Sequence, residues 1–131
     1  MNKLIHTMIN HAHHALKNAY APYSKFTVAA CICSEDEQLF TGVNVENSSY
    51  GLTICAERSA ISQMIVAGVQ TIKHIVVLAG TNELCTPCGA CRQCINEFST
   101  VNTHIHLCNK DQVLKTMTMD ELLPLAFKLR V

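Results

Sequence analysis

Thr53-Ile54-Cys55-Ala56-Glu57-Arg58 and Thr86-Pro87-Cys88-Gly89-Ala90-Cys91-Arg92-Gln93 carry the most informative chemistry in this chain. After the first, Ala56, Ala60, Ile61, Met64 and Ile65 recur at helical spacing and Gly68 supplies a stop, which predicts a helix over about 54–67. The second stretch opens another helix, over 89–98. Both motifs therefore set thiols at helix N-termini, where free N–H groups and the helix dipole favour the thiolate, the form that ligates a metal. Cys88 and Cys91 share a helical face, and Cys55 can approach from the neighbouring helix. Three thiolates leave one tetrahedral position open, the mark of a catalytic rather than a structural zinc site. Glu57 stands two residues from a ligand and is placed to receive the proton of a water that zinc acidifies. Three thiolates around a dication also leave net negative charge. Arg58 is expected to offset it by hydrogen-bonding to the ligand sulfurs, the alternative being a helical arginine facing solvent.

The flanking segments supply a scaffold. Leu4, Ile5, Met8, Ile9, Ala12, Ala15 and Leu16 predict an amphipathic helix over 2–18, stopped by Ala21-Pro22-Tyr23-Ser24. Phe26 to Cys33 and Gln38 to Val45 read as strands paired through an acidic turn, Ser34-Glu35-Asp36-Glu37. His74 to Ala79 and His104 to Leu107 are further strands, and Met119 to Leu123 a short helix ended by Pro124. A helix, a hairpin and then alternating helices and strands imply one layered α/β domain over 1–131 with a mixed sheet.

The chain is 131 residues long, 49% apolar and 15% charged, which suits an ordered globule with one core. Ten basic and ten acidic side chains cancel, with no run of either sign, so neither a nucleic acid nor a membrane surface is an expected partner. Polar residues interrupt the apolar ones from Met1 to Asn10, so no signal-peptide core is expected, and a cytoplasmic location follows. Eight cysteines in such a chain point to metal binding and buried packing rather than to disulfides.

Cys85, Cys88, Cys91 and Cys94 recur every three residues, but the spacing and trailing residue of an iron–sulfur run are missing and Cys55-Ala56-Glu57 would go unexplained. Cys85 and Cys94 are read as packed or partly exposed thiols, and Cys31, Cys33 and Cys108 as small buried hydrophobes. His104 and His106 share a strand face without an evident third ligand, so they are not read as a metal pair.

A Cys-x-Glu followed by P-C-x-x-C is the pattern of zinc deaminases in their three-cysteine form. With Thr41-Gly42-Val43-Asn44-Val45-Glu46-Asn47-Ser48-Ser49-Tyr50-Gly51-Leu52, Glu97-Phe98 and Leu122-Leu123-Pro124-Leu125-Ala126-Phe127, the chain closely resembles the small homotetrameric cytidine deaminases over nearly its whole length. The resemblance implies a three-layer α/β/α domain with a mixed five-stranded sheet and one zinc per subunit. It also implies hydrolysis of cytidine and 2′-deoxycytidine to uridine and 2′-deoxyuridine with release of ammonia, a reaction of pyrimidine salvage. Asn44 and Glu46, two apart on a strand, point to one face and suit a sugar hydroxyl; by resemblance they hold the ribose 3′-hydroxyl. Phe26 would stack on the pyrimidine, Ala56 would offer its backbone to the base, and Tyr50 and Phe127 would reach the active site of a neighbouring subunit. Glu57 would be the catalytic proton carrier, Cys55, Cys88 and Cys91 the zinc ligands.

Overall fold

A computed structural model describes residues 2–129. Its elements follow in the order α1 (Lys3–Leu16), β1 (Val28–Ser34), β2 (Leu39–Val43), a 3-10 turn (Tyr50–Leu52), α2 (Ala56–Val66), β3 (Ile72–Ala79), α3 (Gly89–Glu97), β4 (Ser99–Cys108), β5 (Val113–Thr118) and α4 (Met119–Leu122). The strands form one sheet in the order β2-β1-β3-β4-β5. β3 and β4 run parallel, joined through α3, and the other neighbours are antiparallel.

Strand alternation divides the core in two. Ala29, Cys31, Cys33, Val76, Leu78 and Cys108 face α1, which presents Ile5, Met8, Ile9 and Ala12 to them. Ala30, Ile32, Ile75, Val77, Ile105 and Leu107 face the opposite way, onto Ala56, Ala60, Ile61 and Met64 of α2 and Ile95 of α3, with Met119 and Leu122 of α4 completing that side. The layers are therefore α/β/α around a mixed five-stranded sheet. Asn2 caps α1 by accepting the N–H groups of Leu4 and Ile5, and Thr118 with Glu121 forms a capping box on α4.

The strand readings change in their bounds: β1 begins at Val28 rather than Phe26, β2 ends at Val43 rather than Val45, and β3 begins at Ile72 rather than His74. β4 begins at Ser99 rather than His104, and β5 joins the sheet edge beside it. Val113 to Thr118 is half-buried or exposed along its length, so its sequence carries little of the apolar signal that marks an inner strand. Among the described residues no helix is long and apolar enough to cross a membrane.

Gly42 sets how the scaffold presents α2. A Cβ at that position would lie 2.3 Å from the Ala60 nitrogen and 2.5 Å from the Ala56 carbonyl oxygen, so the helix lies directly on the strand backbone. Only a residue without a side chain permits that approach.

Candidate active site

Cys55 is the N-cap of α2 and Cys88 the N-cap of α3, and neither side chain is spent on a capping hydrogen bond. Both sulfurs turn instead toward Cys91, in the first turn of α3. The three sulfurs lie within 4.8 Å of one another, with Cys55 Sγ and Cys88 Sγ 4.0 Å apart. Arg92 fastens the loop that carries Cys88: its Nε donates to the Pro87 carbonyl at 2.9 Å and its Nη1 to the Leu122 carbonyl at 2.8 Å. The loop is thereby tied to α4 on the same side of the sheet.

The cluster's electrostatics do not favour three thiolates unaided. Burial raises the Cys55 thiol, and burial followed by the charge of Glu57 raises Cys91 strongly. Cys88 alone is lowered, because the N–H groups of Cys91 and Ala90 and the neighbouring thiols outweigh its burial. Helix N-terminal placement thus favours one thiolate rather than two. A dication among the sulfurs removes the obstacle to ionising the others, and a compact set of soft sulfur donors fits zinc.

Glu57 follows Cys55 by two residues in α2 and is buried at 4% exposure. Burial raises its pKa, against smaller opposing effects from its own backbone N–H and Arg58. Arg58 Nη2 donates to the Thr53 carbonyl at 3.0 Å, whereas its buried Nε has no partner among the described residues. Burial opposes the guanidinium's charge, but its proximity to Cys55 and the fields of Cys91 and Cys94 outweigh it and raise its pKa. Arg58 is half-buried in the first turn of α2, with the Thr53 carbonyl as its hydrogen-bond partner.

The cluster opens onto a cavity of about 260 Å³ lined by Phe26, Asn44, Glu46, Tyr50, Ala56 and Glu57, with Cys55 and Cys88 at one wall. Asn44 and Glu46 lie beyond the end of β2, not on it, yet both are buried and face the same cavity. Val45 between them makes bridges with Tyr20 and Ile54, which keeps the chain extended there. Phe127 is 70% exposed and does not line the cavity; Gln93 Nε2 donates to its carbonyl at 2.9 Å.

Ser24, Thr53, Cys85 and Thr86 also line the cavity, although sequence reasoning gave them no part in it. Ser24 was hidden in a segment whose proline and small residues signalled only the end of a helix. Elsewhere, His74, His104 and His106 gather on one face of β3 and β4, with His74 Nδ1 and His106 Nε2 3.0 Å apart. His74 is the third imidazole that spacing alone did not reveal, but these rings do not converge as metal ligands do.

Thiols and a buried carboxyl group on the wall of one cavity, carried on helices that pack against a mixed sheet, define a zinc-dependent hydrolase of the α/β/α class. Residues 2–107 match the family model of the cytidine and deoxycytidylate deaminase zinc-binding region. The chain is 40% identical to the cytidine deaminase of Sporosarcina psychrophila, covering 94% of this chain and 90% of that one. It is 44% identical to the cytidine deaminase of Mycoplasma genitalium, covering 86% and 87% respectively. The crystal structure of cytidine deaminase from Burkholderia pseudomallei superimposes with a TM-score of 0.87 at 39% identity, covering 97% of this chain and all of the other. The chain belongs to the cytidine and deoxycytidylate deaminase family.

Proposed function

We propose that this enzyme deaminates cytidine and 2′-deoxycytidine, giving uridine and 2′-deoxyuridine and releasing ammonia. The observation that carries this reading is that Cys55, Cys88, Ala56 and Glu57 share one cavity with Phe26, Asn44 and Glu46. A metal site, a proton carrier, an aromatic face and sugar-binding polar groups are thus combined at the scale of a free nucleoside.

Cys55, Cys88 and Cys91 would hold one zinc per subunit, which supplies Lewis acidity and lets water act as a nucleophile near neutral pH. Glu57 accepts a proton from the attacking water and delivers it to ring nitrogen 3, making carbon 4 more electrophilic. Oxygen then bonds to carbon 4. Glu57 passes the second proton to the exocyclic amine, the carbon–nitrogen bond breaks, and ammonia departs as the carbonyl forms. The carboxyl group returns to its starting state, so atoms and protons balance.

Phe26, 43% exposed at the cavity wall, offers a ring face to the pyrimidine. The first N–H groups of α2 lack intrahelical acceptors, which allows Ala56 to donate to the base. Asn44 and Glu46 retain hydrogen-bonding capacity for a sugar hydroxyl. Arg58 would moderate the excess charge of the thiolates through the sulfur cluster. Tyr50 and Phe127, at 68% and 70% exposure, suit contacts with neighbouring subunits of a homotetramer, each completing another subunit's site. Eight free thiols fit a reducing cytoplasm, where nucleoside salvage would consume the products' precursors.

The test is incubation of the purified protein with cytidine, following the ultraviolet change of the ring and the ammonia formed. Equimolar uridine and ammonia support the reading; a zinc-loaded protein that produces neither from cytidine or deoxycytidine contradicts it.

A further inference from the structure

Ser24 lines the same cavity as Cys55 and Cys88, and its hydroxyl makes two different connections. It donates to Glu46 Oε2 and accepts the N–H of Phe26 at 3.0 Å. Glu46 Oε1 meanwhile accepts the backbone N–H groups of Tyr23 and Ser24, at 3.0 and 3.1 Å. On the other side of Phe26, Asn44 Nδ2 donates to the Phe26 carbonyl at 2.8 Å, and Asn44 Oδ1 accepts the N–H of Val28 at 3.0 Å. Both polar backbone groups of Phe26 are therefore fixed by side chains that face the cavity.

We infer that Ser24 is a positioning residue that couples sugar binding to base stacking, because its hydroxyl joins the Glu46 carboxylate to the backbone of Phe26. The inference deepens the nucleoside reading of the cavity and rests on it. Asn44 and Glu46 were expected to present an amide and a carboxylate to a sugar hydroxyl. Most of their hydrogen-bonding groups instead hold the segment that carries the aromatic ring. Lys25, between Ser24 and Phe26, has φ 62°, a left-handed conformation unfavourable for a residue with a Cβ, and its N–H donates to the Ala21 carbonyl at 3.0 Å. The turn thus relies on bonds that surround it, and Ser24 supplies the link between its acidic and aromatic ends.

The Ser24 hydroxyl is also the leading cause of a lowered Glu46 pKa, which outweighs burial with help from the Ser24 and Tyr23 N–H groups and Lys25. Glu57 and the thiols of Cys55, Cys85 and Cys88 are the other titratable groups on the cavity wall, along with the Tyr50 phenol. The Tyr23 hydroxyl is engaged elsewhere, at 2.6 Å from Ser48 Oγ.

Ser24→Ala removes the bridge but leaves both backbone N–H groups on Glu46. Loss of a hydrogen bond to a charged group predicts a KM for cytidine raised about tenfold, with kcat changed less than about twofold, since Glu57 is untouched. Ser24→Thr, which keeps the hydroxyl, should restore KM. The penalty should persist with 3′-deoxycytidine, which denies Glu46 its sugar hydroxyl but still needs Phe26 in place. In the substrate-free protein, NMR should show the Glu46 carboxyl titrating at higher pH and the Phe26 amide exchanging faster in Ser24→Ala. A folded Ser24→Ala variant with wild-type KM, or with wild-type Glu46 titration and Phe26 exchange, overturns the inference. So does a penalty that vanishes with 3′-deoxycytidine, which would confine Ser24 to the sugar. If the wild-type protein turns over no cytidine, the nucleoside reading fails, and with it the coupling assigned to Ser24; the NMR measurements would then show whether the bridge survives as a structural link alone.

Discussion

Gly42→Ala adds one methyl group at the closest contact between the sheet and the site helix. The new Cβ would lie 2.3 Å from the Ala60 nitrogen, 2.5 Å from the Ala56 oxygen and 2.9 Å from the Ala60 Cα. All three are backbone atoms, so no rotamer change relieves the overlap. To reach normal contact, the start of α2 must retreat by about 1 Å. That turn carries Cys55, Ala56 and Glu57, whereas Cys88 and Cys91 sit on α3 and have no reason to follow. Overpacking of this kind costs roughly 1 to 3 kcal/mol of stability. A displacement of about 1 Å between proton carrier and substrate can cost on the order of a hundredfold in turnover. Gly51→Ala is the matched control, because no heavy atom lies within 4 Å of its added Cβ. Thermal unfolding and steady-state cytidine kinetics on the two variants separate the effects: Gly42→Ala should lose both stability and kcat, and Gly51→Ala neither. A Gly42→Ala protein with the midpoint and kcat of Gly51→Ala would refute the claim that close helix–strand approach positions the site.

The histidine cluster should make the fold sensitive to mild acid. Burial, followed by the fields of His74 and His104, pushes His106 down from 6.5 to about 4, so the unfolded chain binds more protons than the folded one between those values. Stability is therefore lost as pH falls through that window, and His106→Val should flatten the decline in unfolding midpoint between pH 7 and pH 5; an unchanged decline would exclude His106 as its source. Arg58→Gln leaves α2 intact but removes the positive charge from beside the sulfurs. Zinc should dissociate faster to a chelator and the pH–rate profile should shift, and wild-type behaviour in both would show that Arg58 does not tune the cluster.

The helices were legible because their apolar residues recur with the helical period: Ile5, Met8, Ile9 and Ala12 do bury against β1 and β3. The inner strands were legible for a similar reason, as continuous apolar runs. β5 was not, because Val113 to Thr118 forms a sheet edge with mostly accessible side chains, and its pairing is made by backbone groups that every sequence possesses. The metal cluster could be read from residue type and spacing, since few arrangements of Cys55, Glu57, Cys88 and Cys91 make chemical sense. The hydrogen bonds of Asn44 and Glu46 could not. Their partners are the backbone of Tyr23 to Val28, far away in sequence, and nothing in an isolated Ser24 announces a bridge. Phe127 does not line the cavity of its own chain, so its expected part in a site finds no counterpart within one subunit.

Glu57→Gln tests the central claim most directly, because it replaces the proposed proton carrier with a group of nearly the same shape and leaves every thiol in place. Zinc content by metal analysis and ammonia release from cytidine should be measured on the same preparation. The account predicts one zinc per subunit, as in the wild type, with turnover reduced by at least about a hundredfold. A zinc-loaded Glu57→Gln enzyme that retains most of its cytidine turnover would contradict it.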